Sequence, residues 1–285
     1  MTDQEPVHLR RVTLYRDRVE KYTDMPQAMA AKYDALHRLA ARHGFVSPRV
    51  LGVGKASIML ERIADIHSVR DVYLNFNHGI GDADRQQALF RRIGEILALF
   101  HREMPVADAQ PWMADAFIAR RLRRYYGRSV DVDRLPRATL HGDFGFSNVF
   151  IQGDDLERPT VVILDPCGNG GITRADWLFG PVHIDIGEML SCLEGRIPFR
   201  QQTGLRRNCT QMLQAAFIGG YADVSGMDVD AGVAHAFAYS TAAAQFRFRF
   251  GRFGALFTGA LYNRYWKANF PLGRRSGFVE GTAIS

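Results

Sequence analysis

The sequence predicts an α+β protein of two lobes: a small, β-rich N-terminal lobe over residues 1–63 and a large, mainly helical C-terminal lobe over residues 64–285. Three observations carry this. Short apolar segments separated by turn residues crowd the first sixty positions, with one amphipathic helix among them. After Ile63 the apolar spacing changes to a helical period of about 3.6 residues. Inside the helical half, two short strands, 146–151 and 160–164, flank the polar loop 152-QGDDLERP-159.

The elements follow in order. Residues 7–15 (VHLRRVTLY) and 18–23 (RVEKYT) read as two β segments with a turn at Arg16-Asp17. Residues 26–43 form an amphipathic helix, with Met29, Tyr33, Leu36 and Leu39 near one face. Pro26 suits its first turn, where no backbone donor is needed, and Gly44 suits its end. Two more strands, 49–54 and 57–63, complete the small lobe. A helix over 83–103 places Leu89, Ile93, Ile96, Leu97 and Phe100 on one side and arginines on the other. Another helix spans 111–126. Four more are expected at about 181–194, 202–222, 228–248 and 253–267.

Composition narrows the function. Hydrophobic residues make up 47% of the 285 and charged residues 23%, the balance of a soluble globular chain. No apolar run approaches the ~20 residues of a membrane span. The N-terminus, MTDQEPVHLRRV, has no apolar segment of the kind that directs secretion. Cys167, Cys192 and Cys209 show no paired spacing and read as reduced thiols, which points to the cytoplasm. The formal charge of +6 favours anionic partners such as nucleotides. No zinc-finger or aromatic RNA-binding signature accompanies the basic runs 120–124 and 247–253, so no nucleic-acid partner is expected.

The chemistry is concentrated in 140-LHGDFGFSNVFI-151. Asp143 and Asn148 stand on either side of a short turn, able to project into one cleft. The apolar strand 161-VVIL-164 then ends in Asp165, 17 residues after Asn148 and able to reach back across the hairpin. Asp and Asn are also ordinary turn formers. An acid, an amide and a second acid in this order, however, are what metal-assisted phosphoryl transfer requires. One carboxylate takes the proton of the attacking hydroxyl; the amide and the other carboxylate hold Mg2+ on the phosphates.

The stretch LHGDFGFSNVF followed by VVILDP resembles the aminoglycoside phosphotransferase and choline kinase-like family, within the protein-kinase-like fold. The segment 180-GPVHIDIGEML-190 is similar to a further motif of that family, and the form of these motifs resembles a bacterial branch met beside surface-polysaccharide genes. The resemblance implies Asp143 as catalytic base, and Asn148 and Asp165 as Mg2+ ligands. It implies His141 and Asp185 as scaffold of the catalytic loop. In the small lobe it implies Lys21 as the strand lysine that contacts nucleotide phosphates. Leu60, Glu61, Arg62 and Ile63 are then the hinge whose backbone reads the base of ATP or GTP.

Two departures stand out. The lysine's usual partner is a Glu on the next helix, and residues 24–43 contain none; Asp34 is the nearest stand-in, with Lys32 close to the expected place. No glycine precedes Lys21 to form a phosphate loop. GVGKAS (52–57) lacks the first Gly and the Ser/Thr of a P-loop, and GNGG (168–171) lacks the context of a dinucleotide fingerprint. The expected function is transfer of a phosphoryl group from ATP or GTP to a hydroxyl of a small molecule, a sugar, amino sugar or related metabolite. The alternatives are an aminoglycoside-inactivating kinase and a pseudokinase-like binding protein. Tyr239, Phe246, Phe250, Tyr262 and Trp266 are candidates to line the acceptor pocket.

Overall fold

Five short strands open the chain and form one antiparallel sheet in the order β1-β2-β3-β5-β4: β1 Val7–Leu9, β2 Val12–Leu14, β3 Arg18–Tyr22, β4 Val50–Val53 and β5 Ser57–Glu61. The structure, a computed structural model, describes residues 7–9, 11–77, 79–106, 110–111, 115–126, 130–153, 159–166, 168–169, 172–173, 177–194, 207–238 and 240–241. The segment expected as one strand over 7–15 folds back on itself, Leu9 pairing with Val12, so it supplies two strands. The alternation of apolar side chains does not distinguish a straight strand from a hairpin of the same length.

Helix α1 (Pro26–His43) has the predicted bounds. Gly44 closes it in the left-handed conformation (φ 68°), its N–H bonded to the Ala40 carbonyl, a geometry a side chain would strain. One part of α1 covers the sheet: Met29, Ala30 and Tyr33 form a small core with Ile58 and Leu60. The rest, from Leu36 to Ala40, enters the main core of the molecule. The loop after α1 continues that attachment, since Val46 exchanges backbone hydrogen bonds with Val161 and Ile163, each 2.9 Å.

Beyond β5 the chain makes β6 (Ile66–Ser68) and α2 (Val69–Asn77), two elements the sequence reading did not single out. Val69, Tyr73 and Phe76 recur at helical spacing and are all buried. Next come α3 (Ala83–Glu103), β7 (Gln110–Pro111), α4 (Asp115–Tyr126), a 3-10 turn at Val132–Arg134 and β8 (Arg137–Leu140). They are followed by β9 (Val149–Gln152), β10 (Thr160–Ile163), β11 (Gly168–Asn169), β12 (Ile172–Thr173), β13 (Leu178–Pro181), α5 (His183–Glu194) and α6 (Arg207–Ser225); α7 covers 231–238. Helix α4 begins four residues after its expected start, because Gln110–Pro111 is an edge strand paired with β13, a place that tolerates proline's missing donor. Likewise α5 begins at His183: Leu178–Pro181 is a strand, and a residue before proline is held extended.

Helices α3 and α6 pack backbone against backbone. A Cβ on Gly94 would collide with the carbonyl oxygen of Phe217, and one on Gly220 with that of Arg91. The crossing brings Phe90, Ile93 and Leu97 into one core with Leu213, Phe217 and Tyr221. Among the described residues no helix is long and apolar enough to cross a membrane. The helix expected over 253–267, the remainder of that over 228–248, and the five aromatic pocket candidates lie outside the described residues.

Candidate active site

The site is built on the ribbon of β9 and β10. Their antiparallel register pairs Val149 with Ile163. The Leu164 N–H continues the ladder by donating to the Asn148 carbonyl at 2.9 Å. Asn148 and Asp165 therefore emerge at the same end of the ribbon, where the loop after β8 delivers Asp143. Strand β6 pairs with the other edge of β9, with Ser68 opposite Phe150.

The loop is pinned from both directions. Phe144, Phe146 and Val149 bury their side chains in the main core, leaving the residues between them to face other ways. Asn148, 6% exposed, donates from Nδ2 to the Asp143 carbonyl at 2.8 Å and to Asp143 Oδ2 at 2.9 Å. Both partners are acceptors, so the amide nitrogen must point at Asp143 and Oδ1 is left as an oxygen ligand.

Asp185, fully buried on α5, holds the other flank. Its carboxylate accepts from the His141 N–H at 2.6 Å and the Gly142 N–H at 2.9 Å. His101 of α3 donates from Nε2 at 3.0 Å to the same carboxylate, and its Nδ1 lies 2.8 Å from the Tyr221 hydroxyl. Gly142 takes a left-handed backbone (φ 83°), which lets consecutive N–H groups converge on one carboxylate. His141 donates from Nε2 to the Leu164 carbonyl at 3.0 Å, tying the loop to the end of β10. Burial holds its imidazole below the ordinary His value, although the charges of Asp185, Asp143 and Asp165 pull upward. Among the described residues its Nδ1 has no partner, so the ring serves as a neutral brace.

Lys21 on β3 reaches across to Asp165 and forms an ion pair with its Oδ1. The ammonium also sits 5.8 Å from the centre of the Tyr33 ring. Asp165 has a left-handed backbone (φ 55°), and its N–H donates to the Tyr33 hydroxyl at 3.2 Å. Asp34 makes no bond to Lys21; it is half-buried one position further along α1. Lys32 is buried at 2% exposure, its ammonium 5.6 Å from the centre of the Trp177 ring. Of the hinge residues, Leu60 is in the small core, while Glu61 and Arg62 are exposed and spend their N–H groups on the Arg49 and Asp17 carbonyls. Ile63 is partly buried and its peptide groups make no hydrogen bond among the described residues.

Sequence reasoning missed His101 and the polar role of Tyr33. His101 interrupts the apolar stripe of α3 beside Leu97 and Phe100, and a histidine in that place signals a buried polar partner. For Tyr33 the signal was the absent Glu on the same helix.

No protein-family model matches the sequence, and no curated protein matches it. Solved structures do match. Glucosamine kinase in complex with glucosamine, ADP and inorganic phosphate aligns with a TM-score of 0.59 at 14% identity, over 92% of this chain and 75% of that one. A choline/ethanolamine kinase family protein from Mesorhizobium loti aligns with a TM-score of 0.50 at 16% identity, over 92% and 87%. The gentamicin–APH(2")-IIa complex aligns with a TM-score of 0.52 at 12% identity, over 90% and 88%. The fold is protein-kinase-like. The small antiparallel sheet with α1 and the helical part around the β9–β10 ribbon are the two parts of that fold, as the sequence predicted.

The donor set of the site suits Mg2+. Among the described residues Asn148 Oδ1 and the second oxygen of Asp165 carry no hydrogen bond, and both are hard oxygen donors. Among the described residues no three His, Cys, Asp or Glu side chains cluster as a metal site. One amide and one carboxylate are what Mg2+ uses when phosphates and waters complete its shell.

Proposed function

We propose that this chain transfers the γ-phosphoryl group of ATP or GTP to a hydroxyl of a small molecule, a sugar, amino sugar or related metabolite. The observation that carries the reading is the convergence of Lys21, Asp143, Asn148 and Asp165 at one end of the β9–β10 ribbon. Asp143 is the base: it takes the proton of the acceptor hydroxyl, and Asn148 orients its carboxylate. Asn148 and Asp165 would hold Mg2+, which would draw charge from the phosphate oxygens when bound. Lys21 carries the positive charge that meets the nucleotide phosphates once they enter beside Asp165. The stretch Leu60–Ile63 offers its backbone to the nucleotide base, Ile63 having peptide groups that make no hydrogen bond among the described residues. His141 and Asp185 keep the loop in place. Residues 1–63 thus serve as the nucleotide lobe and 64–285 as the catalytic and acceptor lobe, in a protein that works in the cytoplasm.

Charge favours a neutral or anionic acceptor over a polycationic drug. Residues 196–285 hold only four acids, Asp223, Asp228, Asp230 and Glu280. Two of them have structural partners: Asp223 pairs with Arg91, and Asp230 caps α7 by accepting from the Gly232 and Val233 N–H groups. A site for several ammonium groups needs carboxylates to replace their water. Glucosamine, with one amine, makes no such demand.

The test is Mg2+-dependent ATP consumption over a panel of sugars, amino sugars and amino alcohols, with kanamycin included. Turnover on a sugar and little on kanamycin is expected. Efficient phosphorylation of kanamycin would instead make the chain a drug-inactivating kinase. Failure to bind Mg·ATP in calorimetry would leave the pseudokinase reading.

A further inference from the structure

Helix α1 has no glutamate to face the strand lysine, yet the site is not left open there. The residue that α1 presents is Tyr33, 3% exposed, packed with Met29, Ala30, Ile58 and Leu60. Its hydroxyl accepts the Asp165 N–H at 3.2 Å, and its ring lies beneath the Lys21 ammonium at 5.8 Å. Asp165 needs such support. It is one of two non-glycine residues among those described with positive φ, and it sits where the β10 ladder has ended. A conformation of this kind persists only where its surroundings hold it.

We propose that Tyr33 is a positioning residue that takes the place of the missing helix carboxylate, coupling α1 to the backbone of Asp165 instead of to the charge of Lys21. This rests on the phosphotransferase reading of the site. A carboxylate at this point would compete with Asp165 for the lysine. A phenol does not, since its oxygen is engaged as acceptor of the Asp165 N–H at 3.2 Å. Before nucleotide enters, Lys21 stays with Asp165, and the tyrosine oxygen fixes the direction in which the Asp165 carboxylate leaves the chain. The hydroxyl thus acts through the metal ligand, as residues behind metal ligands commonly do.

Tyr33→Phe removes the hydroxyl and keeps the ring. Amide exchange in the ligand-free variant should quicken about tenfold at Asp165, with the melting temperature nearly unchanged. Mg·ATP should bind about tenfold more weakly, while ATP in EDTA binds as it does to the unmodified protein. In turnover assays kcat should fall along with the rise in KM for Mg·ATP. Unchanged exchange at Asp165 would overturn the proposal. So would faster exchange with unaltered Mg·ATP affinity, since the hydroxyl would then be merely structural. Should the unmodified protein bind no Mg·ATP, the phosphotransferase reading fails, and the exchange rate alone decides whether Tyr33 holds Asp165.

Discussion

The loop that carries Asp143 and the strand that carries Lys21 meet at one site but are held in opposite ways. Around the loop, the Asp185 carboxylate satisfies two backbone donors and an imidazole, and two phenylalanines anchor the turn in the main core. The strand belongs to a sheet whose core is five fully buried residues, with Tyr22, Leu51, Val53 and Met59 left exposed on it. Its chemical group is held by one ion pair and one aromatic ring. The difference matches the tasks proposed for the two. A base must be fixed before the acceptor arrives, whereas a phosphate-binding lysine must leave its resting partner when nucleotide and metal enter.

The comparison breaks most visibly at Asp185. Asp185→Ala strands two peptide N–H groups and the His101 Nε2 in a buried site. We expect a loss of about 3–5 kcal/mol in denaturant unfolding, with turnover abolished even at temperatures where the variant stays folded. A stability near that of the unmodified protein would show that the brace is dispensable.

Acid tests the same region through His183, at the start of α5. The side chain is fully buried, neither ring nitrogen has a partner among the described residues, and burial lowers its pKa from 6.5 to about 4 despite the nearby Asp230 carboxylate. The folded pKa lies below the unfolded one, so the unfolded chain takes the proton first as pH falls. Stability is full above pH 6.5 and declines toward pH 4. This group alone should cost about 2 kcal/mol by pH 5 and about 3 kcal/mol by pH 4. Urea unfolding of the protein and of His183→Asn, each at pH 7 and pH 5, isolates the contribution. Parallel declines in the two proteins would assign acid sensitivity elsewhere.

Asp143→Asn removes the proposed base and leaves its surroundings in place, because the amide still fits the turn. Turnover should fall by at least ~10² with unfolding unchanged and Mg·ATP affinity largely kept. Asp165→Ala, by contrast, should weaken Mg·ATP binding if Asp165 is the metal donor proposed above. Calorimetry showing both variants alike would remove Asp165 from that role.

What was legible in the sequence follows the range of the interactions. Helix α1 was bounded by Pro26 and Gly44, and α3 by its apolar stripe; both signals lie within the elements they define. The spacing of Asp143 and Asn148, and the strand ending in Asp165, are likewise local. The supports were not legible, because they join distant segments: His101 to Asp185, Tyr33 to Asp165, Gly94 to the Phe217 carbonyl. No periodicity encodes such pairs. A missing Glu on α1 told where to look and not what would be found. The hairpin within 7–15 was lost for a different reason, since a strand and a tight hairpin share the same β-forming residues.

On the strand side of the site the stability change should again be small. Lys21 and Asp165 keep 12% and 38% of their side chains exposed, so their pair is screened by solvent on one flank. Such pairs contribute at most about 1 kcal/mol, and Lys21→Met retains the aliphatic stem that packs near Tyr33. Unfolding of Lys21→Met should therefore differ from that of the unmodified protein by less than about 1 kcal/mol. Nucleotide binding should respond more. Without the ammonium, the phosphates lose a charge-assisted donor in a partly desolvated site, and ATP affinity in EDTA should fall about tenfold. That separation, a near-silent effect on folding with a clear effect on binding, is the reverse of what Asp185→Ala should show in stability. If Lys21→Met unfolded as readily as Asp185→Ala, the ion pair would be a structural strut, and the contrast between a fixed loop and a yielding strand would not hold.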